Sequence, residues 1–207
     1  MRLFDEFNVL YENEILDIDT YFDDMELSEE EKEKRKKFSR ELQNAVLFIF
    51  ALLSVMKDHG YQNKKFIINQ LQIRYSEILI EYMDIDKYLD DYIREFAEEN
   101  VDVTLRHYGE KFFTSEERSL LIAVNEANSV FNYNEFSDAI KSGKTEKQWI
   151  TEKDSRVRKT HRKVDNEIIP IKEAFVVGDS LMLFPKDRSL NASEKEIAGC
   201  RCTIKYF

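Results

Sequence analysis

The chain has 207 residues, a formal net charge of −10 and 43% hydrophobic residues, among them 15 Phe and 10 Tyr. That balance excludes wholesale disorder and a surface coated all over with nucleic acid, while leaving room for a local basic patch. Five Gly and two Pro are few for the turns of an all-β protein, and abundant Glu, Lys and Leu favour helix.

Residues 1–31 hold twelve acids and a single base, Arg2, yet are studded with apolar side chains such as Phe4, Phe7, Leu10, Tyr21 and Phe22. They read as an amphipathic arm, folded onto its own domain or docked on a neighbouring subunit. The first ten residues have no long apolar core, so no signal peptide is expected. Ser28-Glu29-Glu30-Glu31 is a capping box, with three acids placed for the helix dipole. The helix it opens carries a basic run, Lys32 to Arg40, expected to be a solvated face because neighbouring glutamates offset it. Phe38, Leu42, Ala45, Val46, Ile49 and Leu53 then share one face, and the helix should stop near Gly60. Its apolar stretch, Ala45 to Met56, is shorter than the roughly 20 residues of a membrane span and is expected to be buried in protein.

A second helix is expected over about 63–83 and a third from Asp86 to about His107, where Leu89, Tyr92, Ile93 and Phe96 recur at helical spacing. A fourth starts near Ser115, whose following Glu116-Glu117 fill the first turn, and runs to Gly143. Beyond it the pattern changes. Trp149-Ile150-Thr151 is strand-like, and Thr151 to Asp154 could cap a short helix reaching Lys163. Short apolar runs broken by Gly and Pro follow, then a short helix opened by Ser193 and a closing strand over 202–207. Residues 1–143 carry a net charge of −14 and residues 144–207 one of +4. The expected organisation is α+β: an acidic, mostly α-helical bundle over 1–143, then a small α+β domain over 144–207.

Two groups of residues carry chemistry. Five of the eight residues from Arg156 to Lys163 are Lys or Arg, and His161 is a further potential cation. If helical, Asp154 and Arg158 stand i,i+4 as an ion pair, while Val157 and His161 could turn inward. The segment is either structural bracing or a site of phosphate contact or catalysis by His161 with the arginines. At the other end is Gly199-Cys200-Arg201-Cys202. The cysteines are too close for an easy mutual disulfide, and a reducing compartment is the default. With His161 and Asp154 they could form a four-ligand zinc site. Against that, no second cysteine pair exists, and the C-x-C thiols are expected to part to opposite faces. Buried free cysteines and no cofactor are therefore the expectation.

The order Trp149-x-Thr151-x-x-Asp154-x-Arg156-Val157-Arg158-x-x-His161, then Pro170, Phe175 to Gly178, Pro185 and Ala198-Gly199-Cys200-Arg201-Cys202, resembles the C-terminal domain of phage minor head proteins, the family of phage Mu head-morphogenesis protein F. The helix before it agrees, with Asn125-Glu126-x-Asn128-x-x-x-Asn132, Gly143 and Trp149. The resemblance covers about 118–207, and none is seen for 1–110. Two positions depart from the pattern: Val124-Asn125 where Arg-Thr is usual, and Gly199 where Asn is common.

The resemblance implies a non-enzymatic component of the virion or procapsid interior, made in the bacterial host cytoplasm. It would associate with the portal protein and other head components and leave with the DNA, with no membrane partner. The acidic part could dock on a portal surface, and Arg156, Arg158, Lys159, Arg162 and Lys163 could meet packaged DNA through phosphates. Two alternatives stand beside it. One is a small RNase-like toxin or effector with His161 as general base and Arg156, Arg158 and Arg201 on the developing charge, near Thr203. The other is an ejected regulator that binds a host protein.

Overall fold

The computed structural model describes residues 17–60 and 63–207; most of the amphipathic arm, residues 1–16, lies outside them. The chain is α+β. Two compact units divide it, one of residues 17–19 and 29–124, the other formed around 20–28 and 125–207.

The first unit is helical. The start of a short helix α1 (Ile18–Asp23) belongs to it, its residues 20–23 to the other unit; then come α2 (Glu29–Asp58), α3 (Lys64–Leu79) and α4 (Lys87–Arg106). Helix starts and stops mostly fall where the sequence puts them, but α3 ends at Leu79, short of the expected Met83, with turns over 80–82. Asn63 accepts from the Phe66 N–H and Asp86 from the Leu89 N–H, both at 3.0 Å. Gly60 and Gly109 adopt positive φ just past α2 and α4. The face of α2 holding Phe38, Leu42, Ala45, Val46, Ile49 and Leu53 is buried. Phe38 meets Tyr75 and Tyr82, and Tyr75 meets Phe96 edge-on at 4.8 Å between centroids. By length and composition α2 could cross a membrane; here its apolar face is buried against the rest of the helical unit. Its basic run is not wholly a solvated face. Arg35 and Lys36 are buried, and Lys36 Nζ lies 3.0 Å from Glu33 and 3.8 Å from Asp19.

A 3-10 turn (Lys111–Thr114) leads to α5 (Glu116–Lys141), whose middle is buried all round, from Ala123 to Asn132. This explains its lack of a polar face. Gly143, at φ +76°, ends it.

In the second unit β1 (Glu146–Ile150) is the centre of an antiparallel sheet ordered β2-β1-β5, with β2 (Ile168–Pro170) and β5 (Thr203–Tyr206) on its flanks. Trp149 pairs with Ile204, and Lys147 with Ile169 and Tyr206. Alternation along β1 buries Lys147 and Trp149 on one face. A separate hairpin, β3 (Phe175–Val177) with β4 (Ser180–Met182), turns through Gly178-Asp179. Two short helices complete the unit, α6 (Lys159–Val164) and α7 (Glu194–Ile197). The core gathers Trp149, Val164, Phe175, Val177, Met182, Cys200 and Cys202.

The helix expected from Thr151 to Lys163 is shorter than the sequence reading. Residues 151–158 are not helical, with a turn centred on 155–156, and only Lys159–Val164 is helical. The local reason is visible. Lys153 sits in the left-handed region at φ 56°, and Asp154 Oδ1 accepts from the Arg156 N–H at 2.9 Å, an Asx-type turn that competes with helix.

Candidate functional site

Trp149 anchors the site from β1. It is fully buried and packs edge-on against Phe175 at 5.1 Å and His161 at 5.8 Å. His161, 1% exposed, rises from the last turn of α6. Its Nδ1 lies 3.3 Å from Cys202 Sγ and 3.6 Å from Cys200 Sγ. Its Nε2 lies 3.2 Å from the buried carboxylate of Glu196 on α7, close enough to pair but without hydrogen-bond alignment. Glu196 also accepts from Thr160 Oγ1 at 2.7 Å. A Cβ on Gly178 would fall 2.6 Å from Glu196 Oε1, and Gly178 holds φ +61°, so the hairpin turn closes over that carboxylate only as glycine.

The expectation that the C-x-C thiols part is overturned, and its premise was faulty. Positions two apart on an extended chain share a face. In addition, the strand begins only at Thr203, after the pair. Gly199, at φ +61°, turns the chain into Cys200. The left-handed region suits Gly and Asn above other residues, which accounts for Gly199 where Asn is common. Hydrogen bonding between the sulfurs, with His161 and Lys186 beside them, holds Cys200 well below a normal thiol. Its partner Cys202 is pushed well above by the same sharing and by burial. Burial opposes charge on His161, but the Cys200 sulfur outweighs it, so the ring is pushed upward.

The arginines brace this core from outside. Asp154 does not pair with Arg158, because the helix that would align them is absent. Instead it binds Arg201 Nη2, and Arg156 Nε at 3.1 Å. Burial opposes its charge, but these two guanidiniums hold its carboxyl below the usual carboxylate range. Arg156 reaches Asp24 as well, at 3.1 Å. Arg158 caps the start of α6 and donates to the Ala198 carbonyl. The Thr151 N–H donates to Asp165 at 2.9 Å, fixing the exit of β1. Arg162 donates to the carbonyls of Asp154 and Ser155 at 3.2 and 3.0 Å. Arg156, Lys159, Arg162 and Lys163 are exposed.

Sequence reasoning named Asn125, Asn128 and Asn132 on α5 as part of the resemblance but gave them no role. Asn125, Asn128 and Asn132 are buried, and all three reach the same unit. Asn125 Oδ1 accepts from the Gly199 N–H at 3.1 Å and from Lys186 Nζ. Asn128 donates to Tyr21 Oη at 2.9 Å, and Asn132 to the carbonyls of Pro185 and Cys202 at 3.3 and 3.2 Å. Lys186 is wholly enclosed, and burial lowers its ammonium to about 8. Glu196 and Thr160 were missed, since a capping sequence gives no sign of a buried partner.

Comparison with protein families matches residues 81–205 to the phage Mu protein F like protein family. The chain belongs to that family. It is thus a member of a phage head-morphogenesis, minor head protein family. The match reaches further back than the motifs did, taking in α4, which carries helical periodicity and no motif residue. No curated protein and no solved structure matches the chain.

Proposed function

We propose that this chain is a non-enzymatic minor head protein that binds the portal oligomer inside the procapsid and leaves with the DNA. The head-protein part of this reading rests on the family match over residues 81–205, and the observation that carries its non-enzymatic part is the use of the family motif as internal bracing. His161 is buried on two sulfurs, and Asp154, Arg156, Arg158 and Arg201 are engaged with one another, with Asp24 or with a backbone carbonyl. A general base that cleaves RNA must reach its substrate. A histidine 1% exposed supports a structural part instead. Exposed Lys159, Arg162 and Lys163 offer a small patch for phosphate contact, which added salt would weaken.

The test is co-sedimentation with the portal oligomer encoded in the same genome, at low and moderate salt, alongside an RNA-cleavage assay. The expected result is a complex that survives moderate salt and no RNA turnover. A folded chain that stays apart from the portal at both salts overturns the portal reading. RNA turnover abolished by His161→Ala overturns the non-enzymatic one.

A further inference from the structure

We propose that His161, Cys200 and Cys202 form a binding site for a zinc-type divalent metal ion, with a fourth, non-protein ligand in the small cavity beside them. The argument rests on geometry. The three donor atoms are buried and all lie within 4.8 Å of one another. Zinc bonds of about 2.3 Å to sulfur and about 2.0 Å to nitrogen at a tetrahedral angle set an N···S edge of about 3.5 Å. The observed edges are 3.3 and 3.6 Å. Nδ1 has a single lone pair or a single proton and faces two sulfurs, an arrangement one shared cation satisfies.

The surroundings fit the same assignment. Glu196 stands 3.2 Å from the far ring nitrogen, where a metal-bound histidine usually has a carboxylate, and Thr160 holds that carboxylate in turn. Two thiolates cancel the charge of a divalent ion. A cavity of about 20 Å³, lined by the trio with Glu152, Arg158 and Arg201, has room for one water-sized ligand. Arg201 lines this cavity, and its Nη1 is buried without a hydrogen-bond partner, a donor available to that ligand. Asp154, held by Arg201 and Arg156, is not needed as the fourth ligand. Two thiolates and an imidazole favour zinc over magnesium or calcium, which prefer oxygen.

The experiment is metal analysis of the full chain, purified under reducing conditions without chelator, followed by replacement with Co²⁺. The expected result is close to one zinc per chain and, with cobalt, a thiolate-to-metal charge-transfer band and the strong visible bands of a tetrahedral site. In Cys200→Ser/Cys202→Ser the metal content should fall at least tenfold. Since that variant could fail to fold, the wild-type chain is also stripped and titrated with Zn²⁺. Zinc should then protect both thiols from a thiol reagent and raise Tm. A folded, reduced chain whose two thiols react freely, with no stoichiometric metal and no Zn²⁺-dependent protection, overturns the proposal. So does a Cys200–Cys202 disulfide in the native protein.

Discussion

Trp149→Ala lowers the stability of the C-terminal unit by about 3–5 kcal/mol, read as a fall in denaturant midpoint by circular dichroism. The indole is fully buried at the centre of the β2-β1-β5 sheet, and three separate parts of the unit rest on it. Phe175 brings the β3-β4 hairpin, His161 brings α6, and the cysteines bring the C-terminal segment. A small unit has few such anchors, so the cavity left by removing the ring cannot be refilled by collapse of one neighbour. Trp149→Phe keeps an aromatic ring against Phe175 and should lose less than half as much. A loss below about 1 kcal/mol for the alanine variant would mean that the sheet does not depend on this side chain.

Asn125→Ala should cost about 3 kcal/mol, the sum of one hydrogen bond to a charged donor and one stranded backbone N–H. Its carbonyl oxygen is shared by the Lys186 ammonium and the Gly199 N–H. Without it Lys186, wholly buried, keeps the Ile197 carbonyl at 3.3 Å among its hydrogen-bond partners. Burying a charge short of acceptors is the expensive outcome. Adding Lys186→Met removes the stranded charge, so the double variant should recover part of the loss relative to Asn125→Ala alone. Equal stability for the single and double variants, or a single-variant loss below about 0.5 kcal/mol, would contradict the bridge.

The parts of this chain that were legible are those governed by local rules. Ser28, Asn63, Asp86 and Ser115 announced four helix starts, Gly60, Gly109 and Gly143 the stops of three of those helices, and the periodicity of Phe38 to Leu53 named the buried face of α2. The family was legible because Asp154, Arg156, Arg158, His161 and the C-R-C keep a fixed order along the chain. What those residues do to one another was not, because each bond spans distant positions. Asp154 to Arg201 and His161 to Cys202 depend on how α6 and the C-terminal loop meet. An i,i+4 rule predicted Asp154–Arg158, but it applies only where the backbone is helical, and the Asp154 turn onto the Arg156 N–H replaces helix there. The same blindness hid Lys186 and Glu196, and the part Asn125 plays between Lys186 and Gly199. Buried polar residues look like surface residues until their partners are placed.

The most direct test of the head-protein account is assembly of procapsids with and without the portal protein, followed by protease treatment and mass spectrometry. The account predicts that the chain enters only portal-containing particles, resists protease until the shell is opened, and is depleted after DNA release. Equal incorporation without the portal, or digestion on intact particles, would contradict it.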